Sequence, residues 1–201
     1  MAVRVLGISG SPHRHGNTET LLDSFLDGTR DAGASVEKIV LTDLSFTTCR
    51  GCNVCHKTGT CVLKDDAPAL FEKILSANCV AIASPIYSMG ITAELKSLID
   101  RAQYFWARKF IVKDLSYSAD HMSRHKGLFI STAGLPLPNV FDYAFPTVRA
   151  FFNGVGFEYY RNILANDMDA FGGIKNHPSA MKEAFETGRK VVGELNKIQK
   201  E

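Results

Sequence analysis

Apolar and polar residues follow one another along this chain in blocks that predict alternating strands and helices. Five short and almost continuous apolar runs have the length of buried strands: residues 3–9, 36–41, 79–83, 127–132 and 157–164. Five further stretches space their apolar residues as helices do: from Asn17, from Asp66, from about Thr92 through Trp106, around residues 140–152 and from about Pro178. This alternation, without an internal repeat, indicates an α/β fold with a parallel sheet and helices on both faces.

The strand-to-helix turns are the segments in which we expect binding residues. Crossovers between parallel strands share one hand, so these turns meet at the carboxyl edge of the sheet, where ligands of such folds bind. The turns are residues 9–18, 42–66, 84–91 and 132–139. Residues 109–125 have no clean period and collect basic side chains, so we predict a surface excursion there.

Composition limits the size and the partners of the protein. With 201 residues, of which 45% are hydrophobic and 22% charged, we expect one globular domain over residues 1–201. The 23 basic and 21 acidic residues give a net charge of +2, too small for a polyanion-binding surface, so nucleic acid is not an expected partner. No stretch has the pattern of a secretory signal or a membrane span, so we expect a cytoplasmic protein without a membrane partner.

The first turn, residues 9–18, has the composition of an anion site. Its sequence is Ser-Gly-Ser-Pro-His-Arg-His-Gly-Asn-Thr, at the start of a helix. Backbone N–H groups and the helix dipole favour a phosphate there, and the polar side chains that add to them are Ser11, Arg14, Asn17 and Thr18. The turn lacks the spacing of the P-loop and of the dinucleotide fingerprint. It suits a phosphate monoester such as that of FMN; the alternative is an ordinary capped helix after a polar turn.

The third turn carries the sequence Pro-Ile-Tyr-Ser-Met-Gly at residues 85–90. It offers a rigid bend, apolar surface, an aromatic ring and a glycine that lets an aromatic cofactor approach the backbone. The alternative is that its large apolar side chains simply cover the edge of the sheet. Hydride transfer to a flavin depends on position rather than on an acid or a base, so we assign no catalytic residue.

Four of the five cysteines lie within a stretch of thirteen residues. Cys49, Cys52, Cys55 and Cys61 have the spacing C-x2-C-x2-C-x5-C, and we predict a Cys-rich metal-binding loop over residues 47–66. Four thiolates can ligate an iron-sulfur cluster. Zinc also accepts four thiolates, usually from two separated pairs, and a redox pair would leave two thiols unexplained. The fifth cysteine, Cys79, lies in an apolar strand and is predicted to be a small core residue.

Several of these motifs together resemble a known family. They are Gly10-Ser11-Pro12 with Gly16-Asn17-Thr18, then Ser84 to Gly90, Leu95-Lys96 and Ile99-Asp100-Arg101. The chain resembles the flavodoxin-like NAD(P)H-dependent FMN reductases, and the cysteine stretch ending in Asp65-Asp66 resembles their iron-sulfur flavoprotein branch. The resemblance implies a flavodoxin-like three-layer sandwich, a five-stranded sheet in the order 2-1-3-4-5, and FMN as the cofactor.

The resemblance also implies which residues hold FMN. Its phosphate would be held by Ser9, Ser11, Arg14, Asn17 and Thr18. Its ring system would lie along one loop and be closed on the other side by a second: Pro85, Ile86, Tyr87, Ser88, Met89 and Gly90, and then Thr132, Ala133 and Gly134.

Spacing and family resemblance together favour a [4Fe-4S] cluster on the four cysteines. We therefore predict an FMN oxidoreductase that couples two-electron flavin chemistry to the cluster and to a one-electron partner such as ferredoxin. The first alternative is a cluster-free NAD(P)H-dependent FMN or quinone reductase. The second is a non-enzymatic metal-binding module on the same scaffold. The resemblance further implies NAD(P)H as a possible electron donor and a homo-oligomer, either a dimer or a tetramer.

Overall fold

The computed structural model describes residues 2–199, which form a five-stranded parallel sheet covered by helices. The strands are β1 (Arg4–Ser9), β2 (Ser35–Val40), β3 (Cys79–Pro85), β4 (Lys126–Thr132) and β5 (Glu158–Ala165). Their order across the sheet is β2-β1-β3-β4-β5, and every neighbouring pair is parallel. This confirms the predicted α/β class and the strand order that the family resemblance implied. Each strand boundary lies within two residues of its apolar run.

The helices lie on both faces of the sheet. They are α1 (Asn17–Asp31), α2 (Cys55–Thr58), α3 (Ala67–Ser76), α4 (Ala93–Arg101), α5 (Gln103–Ala107), α6 (Ala119–Ser123), α7 (Phe145–Val155), α8 (Met168–Phe171) and α9 (Ala180–Ile198). Short 3-10 turns occupy Leu41–Asp43 and Ile174–Asn176, and a π-helical turn occupies Arg108–Val112. Helices α1 and α9 share one hydrophobic core with the sheet, while α3, α4, α5 and α7 share the other. The molecule is therefore a three-layer sandwich.

Alternate residues of the central strands supply the two cores, as the period of a strand requires. Ile8 and Ile82 face the α3–α4–α7 layer, whereas Val5 and Ala81 face α1 and α9. Cys79 is fully buried at the start of β3, which confirms its prediction as a core residue. No helix among residues 2–199 is both long enough and apolar enough to cross a membrane.

Helices α1 and α9 pack at a distance that only glycine permits. A Cβ atom on Gly28 would lie 2.0 Å from the carbonyl oxygen of Phe185, and one on Gly188 would lie 2.3 Å from that of Phe25. Both contacts are with backbone atoms, which cannot rotate away as a side chain can. The two glycines therefore hold the backbone of α1 close to that of α9.

Two helices differ from their predicted limits. The helix expected to run from about Thr92 through Trp106 ends at Arg101, and α5 follows after Ala102. Trp106 is therefore 42% exposed and does not continue the buried face of α4. Helix α7 begins only at Phe145, because Pro146 lacks the N–H group needed inside a helix and is accommodated in its first turn.

Candidate functional site

An open cleft of about 280 Å³ lies at the carboxyl ends of β1, β3 and β4. It spans the point between β1 and β3 where the strand order reverses, the expected ligand position in such a sheet. Nine of the residues predicted to hold FMN line it: Ser11, Asn17, Thr18, Pro85, Ile86, Tyr87, Thr132, Ala133 and Gly134. The fold thus brings three of the predicted turns together around one cleft.

The start of α1 forms one wall of this cleft and leaves hydrogen-bond donors available. Gly16 occupies the N-cap, and among the described residues no side chain caps the helix. The backbone N–H groups of the first turn, which have no partner inside the helix, can therefore bind an anion. Beside this turn, the Oγ of Ser9 is buried without a hydrogen-bond partner in the described part of the chain. A buried hydroxyl without a partner fits a site that completes its hydrogen bonds with a ligand.

Two of the predicted phosphate ligands also join separate parts of the cleft. The hydroxyls of Thr18 and Thr132 are 2.5 Å apart, and both side chains are buried. The side-chain oxygen of Asn17 accepts a hydrogen bond of 3.0 Å from the backbone N–H of Ile174. These contacts attach α1 to β4 and to the turn that follows α8, so they fix the width of the cleft.

Arg14 is not brought to the cleft. Its guanidinium donates to both carboxylate oxygens of Asp43, at 2.9 and 2.7 Å, and its Nε lies 3.5 Å from Glu19. Glu19 is fully buried and accepts from the backbone N–H of His15 at 2.7 Å and from Lys38 at 2.9 Å. Burial opposes ionisation of Glu19, but these two hydrogen bonds hold its pKa below the ordinary value. Arg14 therefore stabilises the first turn, residues 9–18, from outside the cleft.

The second wall is a tight turn. The backbone N–H groups of Tyr87 and Gly90 each donate to the other residue's carbonyl oxygen at 2.9 Å. Between them, Ser88 and Met89 both adopt left-handed backbone with φ of 48° and 65°, as the two central residues of a type I′ turn do. Ser88, Met89 and Gly90 do not line the cleft, and Met89 packs against the apolar cluster of Ala133, Val140 and Phe141. Of the predicted loop, therefore, only Pro85, Ile86 and Tyr87 contribute to the wall.

The start of α4 is locked to the first turn. Thr92 caps α4, its hydroxyl donates to the carbonyl oxygen of Gly10 at 2.6 Å, and its N–H donates to the Oγ of Ser84 at 3.0 Å. A Cβ atom on Gly10 would lie 2.7 Å from the Cβ of Leu95, so the close approach requires glycine. These contacts join the first turn (residues 9–18), the third turn (residues 84–91) and the start of α4 to one another.

Sequence reasoning missed the part of the cleft wall that the residues after β5 form. Met168 and Asp169 line it, and the backbone N–H of Asp169 donates to Gly134 at 3.2 Å. A Cβ on Gly134 would lie 2.7 Å from the carboxylate of Asp169, so the carboxylate lies against this glycine. Both residues follow β5, whose carboxyl end lies at the same edge of the sheet. The rule that selected the other turns would have found them had it been extended to the last strand. His13 and Gly16, inside the first turn, also line the cleft.

The four clustered cysteines line a second, smaller cavity. Arg101, Gln103 and Tyr104, from the end of α4 and from α5, complete its wall. Cys52 is exposed and the other three thiols are partly buried. Within this segment only Cys55–Thr58 is helical. His56 does not line the cavity, and its ring lies 6.0 Å from that of Trp106.

The thiols share a cavity but do not surround one point. Within residues 2–199, no three His, Cys, Asp or Glu side chains are placed to hold one metal ion. Burial raises the pKa of the Cys55 thiol above its ordinary value, and the nearby Cys49 adds to this shift. Binding of a thiophilic metal would have to displace these protons and draw the sulfurs together. In chemistry and in their shared location, the four donors suit such a metal or an iron-sulfur cluster.

A buried ion pair holds both ends of the cysteine segment. Arg101 donates to the carbonyl oxygen of Thr47 at 2.8 Å and to Asp65 at 2.5 Å. Asp65 also accepts from the backbone N–H groups of Thr47 and Ala67 at 3.1 and 3.2 Å. Burial opposes ionisation of Asp65, but its hydrogen bond with Arg101, supported by the two N–H groups, lowers its pKa. Residues 47 and 65 are thereby fastened to the end of α4.

Comparison with known families identifies the scaffold. The model of the family described as NADPH-dependent FMN reductase matches residues 3–137, which include three of the cleft turns and all four clustered cysteines. The chain belongs to this family. Members of the family are FMN-containing oxidoreductases, and the cleft at the sheet edge lies where the family resemblance placed the cofactor.

Several relatives are iron-sulfur flavoproteins by name. One from Methanosarcina thermophila is 25% identical over 205 residues, covering 98% of this chain and 98% of the relative. One from Methanocaldococcus jannaschii is 38% identical over 101 residues, or 50% of this chain, and one from Archaeoglobus fulgidus is 35% identical over 99 residues, or 49%. The chain spans about half the length of these last two relatives, 52% and 45% respectively.

Solved structures share the same fold at low sequence identity. An FMN-dependent NADH-azoreductase from Bacillus anthracis in complex with FMN has a TM-score of 0.71 and 18% identity, covering 94% of this chain and 99% of that one. An NAD(P)H:quinone oxidoreductase from Methanothermobacter marburgensis has a TM-score of 0.68 and 17% identity, covering 95% and 98%. These similarities confirm the flavodoxin-like architecture.

Proposed function

We propose that this protein is an FMN-dependent electron-transfer flavoprotein. Its cleft holds FMN, and its cysteine segment holds a [4Fe-4S] cluster that exchanges electrons with a one-electron partner such as ferredoxin. The observation that carries the proposal is the joining of two sites by one helix. Helix α4 begins at the cleft, through Thr92, and ends at the cysteine cavity, through Arg101.

The residues of the cleft fit FMN in two ways. The uncapped start of α1 offers backbone N–H donors to the phosphate, and Ser11, whose hydroxyl donates to the carbonyl oxygen of His13 at 3.2 Å, lines the cleft beside it. The Oγ of Ser9, buried without a partner among the described residues, lies outside the cleft lining. Residues 85–87 and residues 132–134 lie side by side at the ends of β3 and β4, where the Ile86 N–H donates to the carbonyl oxygen of Thr132 at 2.9 Å, and they offer backbone and apolar surface to the flavin ring. Bound there, FMN would supply two-electron chemistry with a nicotinamide donor. The protein would orient the flavin and limit its contact with water.

The cysteine cavity fits the second group by its donor set. Cys49, Cys52, Cys55 and Cys61 all face it, and four thiolates are the usual ligands of a [4Fe-4S] cluster. The names of the relatives support the same assignment. A cluster there would supply one-electron transfer. Cys52 is exposed, which leaves this side of the cavity open to a partner protein.

The two sites are separate but close. In the described part of the chain, their lining residues do not overlap. The nine residues of α4 between them span about 14 Å at the usual rise of a helix. The flavin and the cluster can thus be lost independently while each still lies within reach of the other.

Chemical analysis of the purified protein tests the proposal. After anaerobic purification, we expect the protein to contain FMN and also iron and acid-labile sulfide, the last two in amounts equal to each other. The absorption spectrum should show contributions from the flavin and from the cluster. Flavin without iron would overturn the cluster. Zinc without flavin would overturn the FMN assignment and support a metal-binding module on the same scaffold.

A second candidate function is a cluster-free NAD(P)H-dependent FMN or quinone reductase. It is favoured by the arrangement of the thiols, because no three ligand side chains in residues 2–199 are placed around one metal position. In that case iron-free protein containing FMN would oxidise NAD(P)H with a quinone as rapidly as protein reconstituted with iron and sulfide. The homo-oligomer and the cytoplasmic location stay expectations from the sequence.

A further inference from the structure

Arg101 has a buried hydrogen-bond donor without an acceptor in the described part of the chain. The residue ends α4, and only 2% of its surface is exposed. Its Nη1 donates to Thr47 and Asp65, but within residues 2–199 its Nε is buried without any hydrogen-bond partner. A buried donor without an acceptor carries an uncompensated desolvation cost. An acceptor supplied by a bound group would remove this cost.

The cavity walls show which acceptor is near. Arg101 and Cys61 together line the cysteine cavity and also an adjoining cavity of about 180 Å³. The other charged or titratable side chains facing these two cavities are the remaining cysteine thiols, Arg50, Glu72 and Tyr104. Burial opposes the positive charge of Arg101, but its hydrogen bond to Asp65 and the proximity of Cys61 raise its pKa. Arg101 is thus a fixed cation beside a cysteine sulfur.

We propose that Arg101 is a positioning residue whose Nε–H donates to the sulfur of Cys61 when the cysteines hold a cluster, and that it raises the reduction potential there. The inference rests on the proposed cysteine site. A donated N–H and a nearby positive charge both favour the state with one more electron, because each stabilises added negative charge. Asp65 serves this role by fixing the orientation of the guanidinium.

The test compares three variants that have been reconstituted with iron and sulfide. Arg101→Gln removes the positive charge, whereas Arg101→Lys keeps the charge but replaces the planar guanidinium. As a control, Arg189→Gln removes a half-exposed arginine that pairs with Asp31. A redox titration with dithionite as electron donor, followed by electron paramagnetic resonance, measures the midpoint potential. Iron, sulfide and FMN contents are measured on the same samples, and circular dichroism checks the fold.

We expect Arg101→Gln to lower the equilibrium constant for one-electron reduction about tenfold, which makes the potential about 59 mV more negative. Arg101→Lys should shift it in the same direction by less, and Arg189→Gln should leave it unchanged. A purely structural role would change the iron content without moving the potential of the sites that remain filled. Where Arg101→Gln does not fold or retain iron, the potential of Arg101→Lys decides the question.

Two negative results have different meanings. An unchanged potential in both Arg101 variants, loaded with iron, would overturn the role of Arg101 and leave the proposed function in place. Wild-type protein that contains FMN but takes up no iron would overturn the cluster itself, and the role of Arg101 with it.

Discussion

The FMN cleft and the cysteine cavity lie at opposite ends of α4 and are built in different ways. The cleft is formed by the ends of β1, β3 and β4, whose residues are almost all buried, and its walls are joined by hydrogen bonds between buried groups such as Thr18 and Thr132. The cysteine cavity is formed by an irregular segment with one four-residue helix, attached mainly at residues 47 and 65. The cleft therefore has its shape without a ligand, whereas the cysteine segment would have to complete its shape around the proposed cluster.

The difference follows from what holds each segment. Each buried hydrogen bond in the cleft contributes about 1 kcal/mol and acts without any ligand. Between its fixed ends, the cysteine segment has few buried apolar side chains, and its backbone turns at Gly51, Asn53 and Gly59 with positive φ. Metal binding in such a segment is coupled to its ordering. The comparison therefore predicts that changes in one site leave the other occupied.

The largest expected effect is that of Cys52→Ala. This substitution should abolish iron binding, because a cluster needs all four thiolates, while FMN stays bound at the other end of α4. Because Cys52 is exposed, the fold should not change. Iron, sulfide and FMN analysis after anaerobic purification measures the outcome. Cys79→Ala, at the buried fifth cysteine, is the matched control and should retain both groups. Loss of FMN from folded Cys52→Ala protein would show that the two sites are not independent.

Asp65→Asn should have the next largest effect. It leaves Arg101 buried without the carboxylate of Asp65. Removing one partner of such an ion pair lowers the free energy of unfolding by about 3 kcal/mol. Urea unfolding monitored by circular dichroism measures this loss. FMN affinity should change little, since Asp65 does not line the cleft. Asp31→Asn, which breaks the half-exposed pair with Arg189, is the control and should have a much smaller effect.

The loss of stability in Asp65→Asn should also depend on pH. The pKa of Asp65 is lower in the folded protein than in the unfolded chain, so its stabilising contribution is complete above about pH 4, the value for an unfolded aspartate. It is lost as pH falls from there through the folded pKa. The difference in unfolding free energy between wild type and Asp65→Asn should therefore shrink below about pH 4. A difference independent of pH would contradict the ion pair.

The smallest expected effect is that of Arg14→Gln. Sequence reasoning placed Arg14 on the phosphate, but in the structure it pairs with Asp43 outside the cleft. An exposed pair of this kind contributes little, so the dissociation constant of FMN should rise less than about threefold. Fluorescence titration of apoprotein with FMN measures it. An increase of tenfold or more would show that Arg14 turns to the phosphate when FMN binds and that the cleft is less preformed than the comparison implies.

Much of the cleft was predictable because it depends on local pattern and on one topological rule. Strands end at turn residues, and parallel strands place those turns at one edge. The rule did not predict the direction of single side chains. Ser88 and Met89 lie outside the cleft lining, at the centre of the tight turn that the hydrogen bonds between Tyr87 and Gly90 close. Arg14 has a long side chain with several acceptors in reach, and the position of Asp43 after β2 decided between them.

The sequence by itself determined the α/β fold through its apolar periodicity, and it determined the donor set through the spacing of four cysteines. Tertiary structure alone decided that the Asp169 carboxylate lies against Gly134 and that Arg101 lies beside Cys61. The physical reason is the distance along the chain over which each kind of signal acts. Periodicity and spacing act over a few residues, whereas these contacts join segments that are far apart in the chain. The distance between such segments in space depends on how β5 and α4 pack in the completed sheet and its helical layers.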